Sequence, residues 1–151
     1  MKNAPHILVD ADACPVKDEI YKVALRREVP VTLLANSWLR TPAHPLIKMV
    51  TVSDGFDSAD DEIVARSSAN SVVVTADILL ADRCLKVGAT VLSPTGKPFT
   101  QDSIGSTIAT RAIMQDLRDT VVGGPTGGNA PFSNADRSRF LTALDTALAK
   151  L

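Results

Sequence analysis

The sequence contains few cysteines and histidines, no long apolar run and almost no net charge. Its two cysteines, Cys14 and Cys84, do not make a disulfide framework, and its two histidines are not spaced as a zinc-binding pair. No apolar run approaches the ~20 residues of a membrane helix, and the first run is too short for a secretory signal. A net charge of −1 disfavours a chain that is basic throughout, although a local basic patch is compatible with it. We therefore expect a reduced, cytoplasmic protein without a membrane-spanning segment.

Apolar segments alternate with helical patterns over the first 93 of the 151 residues. The predicted strands are continuous apolar runs, typical of a parallel sheet that is covered on both faces. They cover residues 7–9, 30–36, 47–52, 71–77 and 89–93. Helices are predicted from Pro15 to Glu28, from Asp60, and over 78–88, where Gly88 ends the helix. The pattern predicts a three-layer α/β/α sandwich with a mainly parallel central sheet of about five strands.

The rest of the chain, residues 94–151, is predicted to be a loop and a C-terminal helical segment packed on this core. A long helix is expected over 103–119, followed by a stretch rich in glycine and proline. Residues 133–151 have the pattern of an amphipathic helix with Phe140, Leu144, Leu148 and Leu151 on one face. Ser133 and Asp136 have the spacing of a capping box. We expect residues 1–151 to form a single domain, because the length is that of one ordinary domain.

Polar side chains follow the end of every predicted strand. Because the carboxyl ends of parallel strands meet at one edge, where ligands bind in open sheets, we expect them to lie near one another. In strand order they are Asp10 and Asp12; Asn36 and Ser37; Asp54, Asp57, Asp60 and Asp61; Thr75, Asp77 and Asp82; and Ser93.

This concentration of carboxylates predicts a cation site. Two carboxylates ~4 Å apart repel by about 4 kcal/mol at an effective dielectric constant of ~20, so either a proton or a cation has to lie between them. Ligands that are all oxygen suit Mg²⁺ or Mn²⁺. The alternative for Asp10, Asp77 and the pair Asp60 and Asp61 is that they begin helices, where acids are favoured.

Three functions are compatible with these residues. In a metal-dependent phosphodiesterase, Asp10 and Asp77 would be primary ligands, completed by Asp12 and by Asp60 or Asp61. In a phosphatase of the haloacid dehalogenase type, Asp10 would be the nucleophile and Asp12 the general acid and base. The Ala-Cys-Pro that follows Asp12 departs from that family's pattern. The third function is non-catalytic binding of RNA or of a protein.

Four segments resemble the YaiI/YqxD family of bacterial proteins. They are VDADACPVK (9–17), the Ala-Asp-Asp-x-Ile-Val run (59–64), TADILLA (75–81) and GGPTGGNAPFSNADRSRF (123–140). That family looks like a member of the PIN-like superfamily, which includes Mg²⁺- or Mn²⁺-dependent nucleases. The resemblance implies a PIN-like fold, RNA or another phosphodiester as substrate, and metal ligands at Asp10, Asp60 or Asp61, Asp77 and Asp82. Asp12 belongs to the family's own motif.

Residues outside the carboxylate group are predicted to bind the substrate. They are Lys17, in the first turn of its helix, the strand-end residues Asn36 and Ser37, and two arginines, Arg111 and Arg137. The alternative for Arg137 is an ion pair with a surface acid. Trp38, in a loop, could stack on a base, but a lone tryptophan of this kind more often covers the edge of a core. Cys14 is expected to be a small buried residue.

Overall fold

A parallel sheet of five strands forms the centre of the molecule. The computed structural model describes residues 4–52, 58–105 and 132–151. Within them the strands are β1 His6–Asp10, β2 Val31–Ala35, β3 Ile47–Thr51, β4 Ser71–Val74 and β5 Thr90–Leu92. They lie in the order β3-β2-β1-β4-β5, and every pair of neighbours is parallel. The predicted parallel sheet is therefore confirmed.

Helices cover both faces of the sheet. They are α1 Lys17–Arg27, α2 Ser58–Arg66, α3 Ile78–Val87 and α4 Asn134–Ala149. Successive side chains of β1 point to opposite faces, as in any strand. Ile7 and Val9 pack with α1 and α4, whereas Leu8 packs with α2 and α3. The two apolar clusters on either side of the sheet confirm the three-layer α/β/α architecture.

Two of the helices end or begin at residues with clear local sequence signals. Gly88 ends α3 in the left-handed conformation, and Ser133 and Asp136 form the predicted capping box of α4. The predicted start of α1 at Pro15 is wrong: this helix begins at Lys17, and Val16 precedes it without a side-chain cap. A short 3₁₀ turn, Ala11–Ala13, follows β1 directly. Because this turn takes up the residues after the strand, the helix begins two residues later than predicted.

Helix α4 is fixed to α1 at both of its ends. Arg26 and Arg27 pair with Asp145, and near the other end Arg137 bonds to Glu19 and to the carbonyl of Pro15. Its apolar face packs on the sheet through Phe140, Leu144, Ala147 and Leu148. Leu151 was predicted on this face, but it lies beyond the helix end and is exposed. The C-terminal helix is thus packed on the sheet as expected.

Residues 101–105 are helical, which agrees with the start of the helix predicted over 103–119. The remainder of that helix and the glycine-rich stretch lie outside the described residues. Among the helices that the structure describes, none is long and apolar enough to cross a membrane.

The turn after β5 brings Gly96 against the backbone of α4. Gly96 has a φ of +88°, and a Cβ atom there would lie 2.7–2.8 Å from backbone atoms of Arg139 and Phe140. Gly88 has a φ of +100°, but no atom lies within 4 Å of where its Cβ would be. Both glycines therefore have a positive φ that disfavours other residues, but only at Gly96 would an added Cβ overlap neighbouring atoms.

We expect Gly88→Ala to lower the free energy of unfolding by about 1–2 kcal/mol, the cost of a left-handed L-residue. Gly96→Ala should cost about 1–3 kcal/mol more, because the added methyl overlaps a backbone that has to move. Urea denaturation of both variants and the parent measures the difference. Equal losses would show that α4 does not press on this turn.

Candidate functional site

The site lies where the chain direction across the sheet reverses. β1 and β4 are adjacent, but the chain leaves β1 toward α1 on one face and leaves β4 toward α3 on the other. In open α/β sheets the carboxyl ends of two such strands frame a crevice that binds ligands. Here the crevice contains a cavity of about 230 Å³, lined by Asp10, Cys14, Val74, Thr75, Ala76, Asp77 and Pro94.

Asp10 and Asp77 are linked through the hydroxyl of Thr75. Val9 pairs with Val74, so Asp10 and Thr75 follow side by side at the ends of β1 and β4. The buried Thr75 hydroxyl donates to Oδ2 of Asp10 at 2.8 Å and accepts from the backbone N–H of Asp77 at 3.0 Å. Thr75 therefore holds one carboxylate in orientation and fixes the backbone that carries the other.

The environment of Asp10 disfavours its charge. Burial raises the pKa of this carboxyl, and the carboxylates of Asp12 and Asp77 raise it further, against the lowering effect of the Thr75 hydrogen bond. The three acids are thus close enough to repel one another. An acid whose pKa is raised in a cleft is a candidate for a functional role.

Asp12 extends the site toward β2. It lies exposed in the 3₁₀ turn after β1, and its Oδ2 accepts from the backbone N–H of Asn36 at 3.2 Å. Asn36 and Ser37, the predicted substrate ligands at the end of β2, are both exposed beside it. The carboxyl ends of β2, β1 and β4 therefore contribute to one continuous edge.

Asp77 is the N-cap of α3, as the alternative interpretation predicted. Its Oδ1 accepts from the backbone N–H groups of Leu79 and Leu80 at 2.9 and 3.3 Å. No described residue donates a hydrogen bond to its Oδ2. The cap and a ligand role are therefore compatible, because each uses a different oxygen.

Asp60 and Asp61, which the sequence left as alternatives, have different surroundings. Burial raises the pKa of the Cys84 thiol, and the carboxylates of Asp60 and Asp10 both add to that rise. Asp60 is half-buried on α2. Asp61 is exposed and pairs with Arg83 at 2.9 Å, and Asp82 pairs with Lys86 at 2.9 Å.

Two of the predicted basic ligands bond to other groups of the protein, and the third lies outside the described residues. Lys17 donates from Nζ to the carbonyl of Cys14 at 3.1 Å, which places its ammonium beside the site cavity. Arg137 bonds to Glu19 at 3.1 Å and lies over the ring of Phe132, so the ion pair expected as its alternative role is present. Arg111, like Asp54 and Asp57, lies outside the described residues.

The carboxylates do not form a ready-made metal cluster. No three His, Cys, Asp or Glu side chains in the described ranges are grouped closely enough to hold an ion. A cation at this edge would therefore draw Asp10, Asp12 and Asp77 closer together than they stand. The metal roles of Asp10, Asp60, Asp61, Asp77 and Asp82 stay predictions.

Two polar or reactive lining residues and Pro94 were not predicted as site residues. Thr75 was placed at the site edge with Asp77, but its hydrogen bond to Asp10 was not foreseen. Cys14 was correctly predicted to be buried, and it also lines the cavity. Pro94 reaches the site because β5 is next to β4, which no local pattern indicates. A wider open groove of about 460 Å³ lies between α1 and α4, away from these acids.

Comparisons with known proteins agree on one family. Residues 8–150 match the model described as "Uncharacterized BCR, YaiI/YqxD family". The chain is 64% identical over 149 residues to a UPF0178 protein of Sphingopyxis alaskensis, covering 99% of this chain and 96% of the relative. UPF0178 proteins of Rhodopseudomonas palustris and Jannaschia sp. are 57% and 54% identical over 145 residues, covering 96% of this chain and 90% and 93% of the relatives. No solved structure matches the chain.

The raised pKa of Asp10 predicts that its charge destabilises the fold. The folded state holds this proton more tightly than the unfolded chain does, so stability falls as pH rises from the unfolded pKa through the folded pKa. Asp10→Asn removes the charge and leaves an oxygen for Thr75. We expect the variant to melt a few degrees above the parent at neutral pH in EDTA, and the gain to shrink as pH falls into that window.

Asp145→Asn is the matched control of opposite sign. The Arg27 hydrogen bond lowers the pKa of Asp145, so its ionised form favours folding. This variant should melt slightly below the parent until pH falls through that lowered pKa. If Asp10→Asn also melts below the parent at neutral pH, Asp10 is a stabilising residue and the argument for a strained site is wrong.

Proposed function

The chain belongs to the YaiI/YqxD family, and from its acidic strand ends we propose that it is a divalent-metal-dependent phosphodiesterase that cleaves RNA rather than DNA. The observation that carries the proposal is that Asp10, held by Thr75, and Asp77 line one cavity at the ends of β1 and β4. Burial, and after it the carboxylates of Asp12 and Asp77, raise the pKa of Asp10. Carboxylates that repel one another at a topological switch point gain stability from a bound cation or from a proton. The choice of RNA follows the resemblance to PIN-like nucleases.

The residues present fit a hard divalent ion. Asp10 and Asp77 face one cavity, and each has a carboxylate oxygen to which no described residue donates. They would be the primary ligands, with Asp12 and the half-buried Asp60 joining directly or through water. Oxygen donors of this kind suit Mg²⁺ or Mn²⁺. Asp61 and Asp82 would first have to leave their ion pairs with Arg83 and Lys86.

Such an ion, when bound, activates a water and neutralises charge on the leaving oxygen of an in-line displacement. The protein's own groups prepare that step. Thr75 keeps Asp10 oriented, so the movement that brings the carboxylates onto an ion would fall mainly on Asp12 and Asp77. Exposed Asp12 is placed to accept a proton from the attacking water. Lys17, with the N-terminus of α1 behind it, supplies positive charge for a phosphate at the cavity mouth.

The phosphatase alternative gains no support from the site. A nucleophilic Asp10 needs its charge and an oxygen directed at the substrate. Burial and two neighbouring carboxylates raise the pKa of this group, and Thr75 occupies its Oδ2. Because a cation would relieve the repulsion in either enzyme, our preference for the phosphodiesterase follows the resemblance to PIN-like nucleases and the Ala-Cys-Pro that departs from the phosphatase pattern.

We expect Asp10→Asn and Asp77→Asn each to weaken Mn²⁺ binding at least tenfold with little loss of fold. Asn at position 10 still accepts from Thr75, and Asn at position 77 still caps α3. Calorimetric titration of Mn²⁺ measures the loss. Asp145→Asn removes a carboxylate at the far end of α1 and should bind Mn²⁺ like the parent.

The same preparations are then incubated with labelled single-stranded RNA. Metal-dependent cleavage by the parent and by Asp145→Asn, lost in both site variants, supports the phosphodiesterase. Phosphate released from small monoesters, with a covalent phosphate trapped on Asp10, would support the phosphatase in its place. Equal Mn²⁺ binding by parent and site variants would remove the metal site and the proposed function with it.

A further inference from the structure

We propose that the loop between β2 and β3, residues 36–46, binds an unpaired nucleic-acid base on the indole of Trp38, so that the ligand at the acidic edge is a single strand. This inference rests on the proposed function, because it names the form in which a phosphodiester reaches that site. Its binding step requires no metal and can be measured without cleavage.

Trp38 is exposed although the sequence favours a core-covering role for it. Its side chain is 69% exposed, whereas the next residue, Leu39, packs against the cluster under α1 and α4. Leu39 therefore anchors the loop and turns the neighbouring indole toward solvent. The expectation that Trp38 covers the core edge is wrong. An exposed tryptophan carries a cost in solvation that a ligand contact would offset.

The loop is held beside the carboxylates at its start. The backbone N–H of Asn36 donates to Asp12 at 3.2 Å, and the N–H of Val52 donates to the carbonyl of Ala35 at 2.8 Å. One residue, Ser37, separates Asn36 from Trp38. Since β2 is the direct neighbour of β1, the loop that carries Trp38 begins at the β2 side of the edge that contains Asp10 and Asp12.

A positively charged side chain lies near Trp38 in the sequence. Arg40 is exposed, two residues after Trp38, and forms no ion pair with any described residue. An indole for the base and a guanidinium for the backbone phosphate are the combination that proteins use to hold single strands. A duplex offers stacking surface only at its ends, because its other bases are already stacked on each other.

The chain contains one tryptophan, so its fluorescence reports this contact directly. We expect a single-stranded RNA of about eight nucleotides to quench Trp38 in EDTA, and the same sequence as a blunt duplex to quench far less. In a polarisation assay with labelled RNA, Trp38→Ala should weaken binding by about 5- to 100-fold, the range for one stacked base. Trp38→Phe, which keeps an aromatic face, should recover most of the affinity.

Val87→Ala is the matched control, because Val87 is also an exposed apolar residue but lies at the C-terminal end of α3, away from the acids. It should bind RNA like the parent. Unchanged binding by Trp38→Ala, or equal quenching by duplex and single strand, would overturn the inference. Quenching by a protein partner alone, with none by RNA, would overturn it too.

The two proposals fail in different ways. Quenching and tight binding without cleavage at any divalent metal would support the Trp38 contact and contradict the phosphodiesterase. Metal-dependent cleavage that Trp38→Ala leaves unchanged would support the phosphodiesterase and contradict the contact.

Discussion

The parallel pairing of β1 with β4 at the centre of the sheet is the constraint on which the rest of the site depends. Val9 pairs with Val74, so the two chains emerge with Asp10 beside Thr75. A shift of this register by one residue would turn every side chain of β4 to the other face and carry the Thr75 hydroxyl away from Asp10. The hydrogen bond from Thr75 to Asp10 therefore ties the apolar packing of both sheet faces to the geometry of the carboxylates.

The energetics of this edge oppose those of the core beneath it. Val72, Val73 and Val74 are fully buried and favour folding through apolar contact. At the end of the neighbouring strand β1, Asp10 is placed where burial and its acidic neighbours disfavour its charge. Proteins keep such unfavourable groups where function requires them, and the stability lost there is supplied by the scaffold. The position of this cost, at the ends of two central strands, is what makes it informative about function.

The sequence predicted the sheet well because each strand is a continuous apolar run, which is a local signal. It also placed Asp10, Asp12 and Asp77 correctly at strand ends. It could not separate Asp60 from Asp61, because that choice depends on how α2 is rotated against β1. The prediction for Trp38 was wrong for a similar reason. Trp38 and Leu39 are both apolar, so the sequence does not show which of them packs inward. The path of the loop decides it. Contacts between distant segments, such as Arg137 with Glu19, have no local pattern at all.

Charge alone would keep a nucleic acid away from this edge. The chain has a net charge of −1, and its carboxylates concentrate where the phosphodiester would have to approach. Proteins that bind nucleic acid mainly through phosphate contacts lose affinity steeply with salt, because each contact releases counterions. Under the proposed function, a protein with few such contacts would gain affinity from stacking and from a cation between its acids. Binding at this edge should therefore depend weakly on monovalent salt, which is the behaviour expected when an aromatic ring such as Trp38, rather than a basic surface, supplies the attraction.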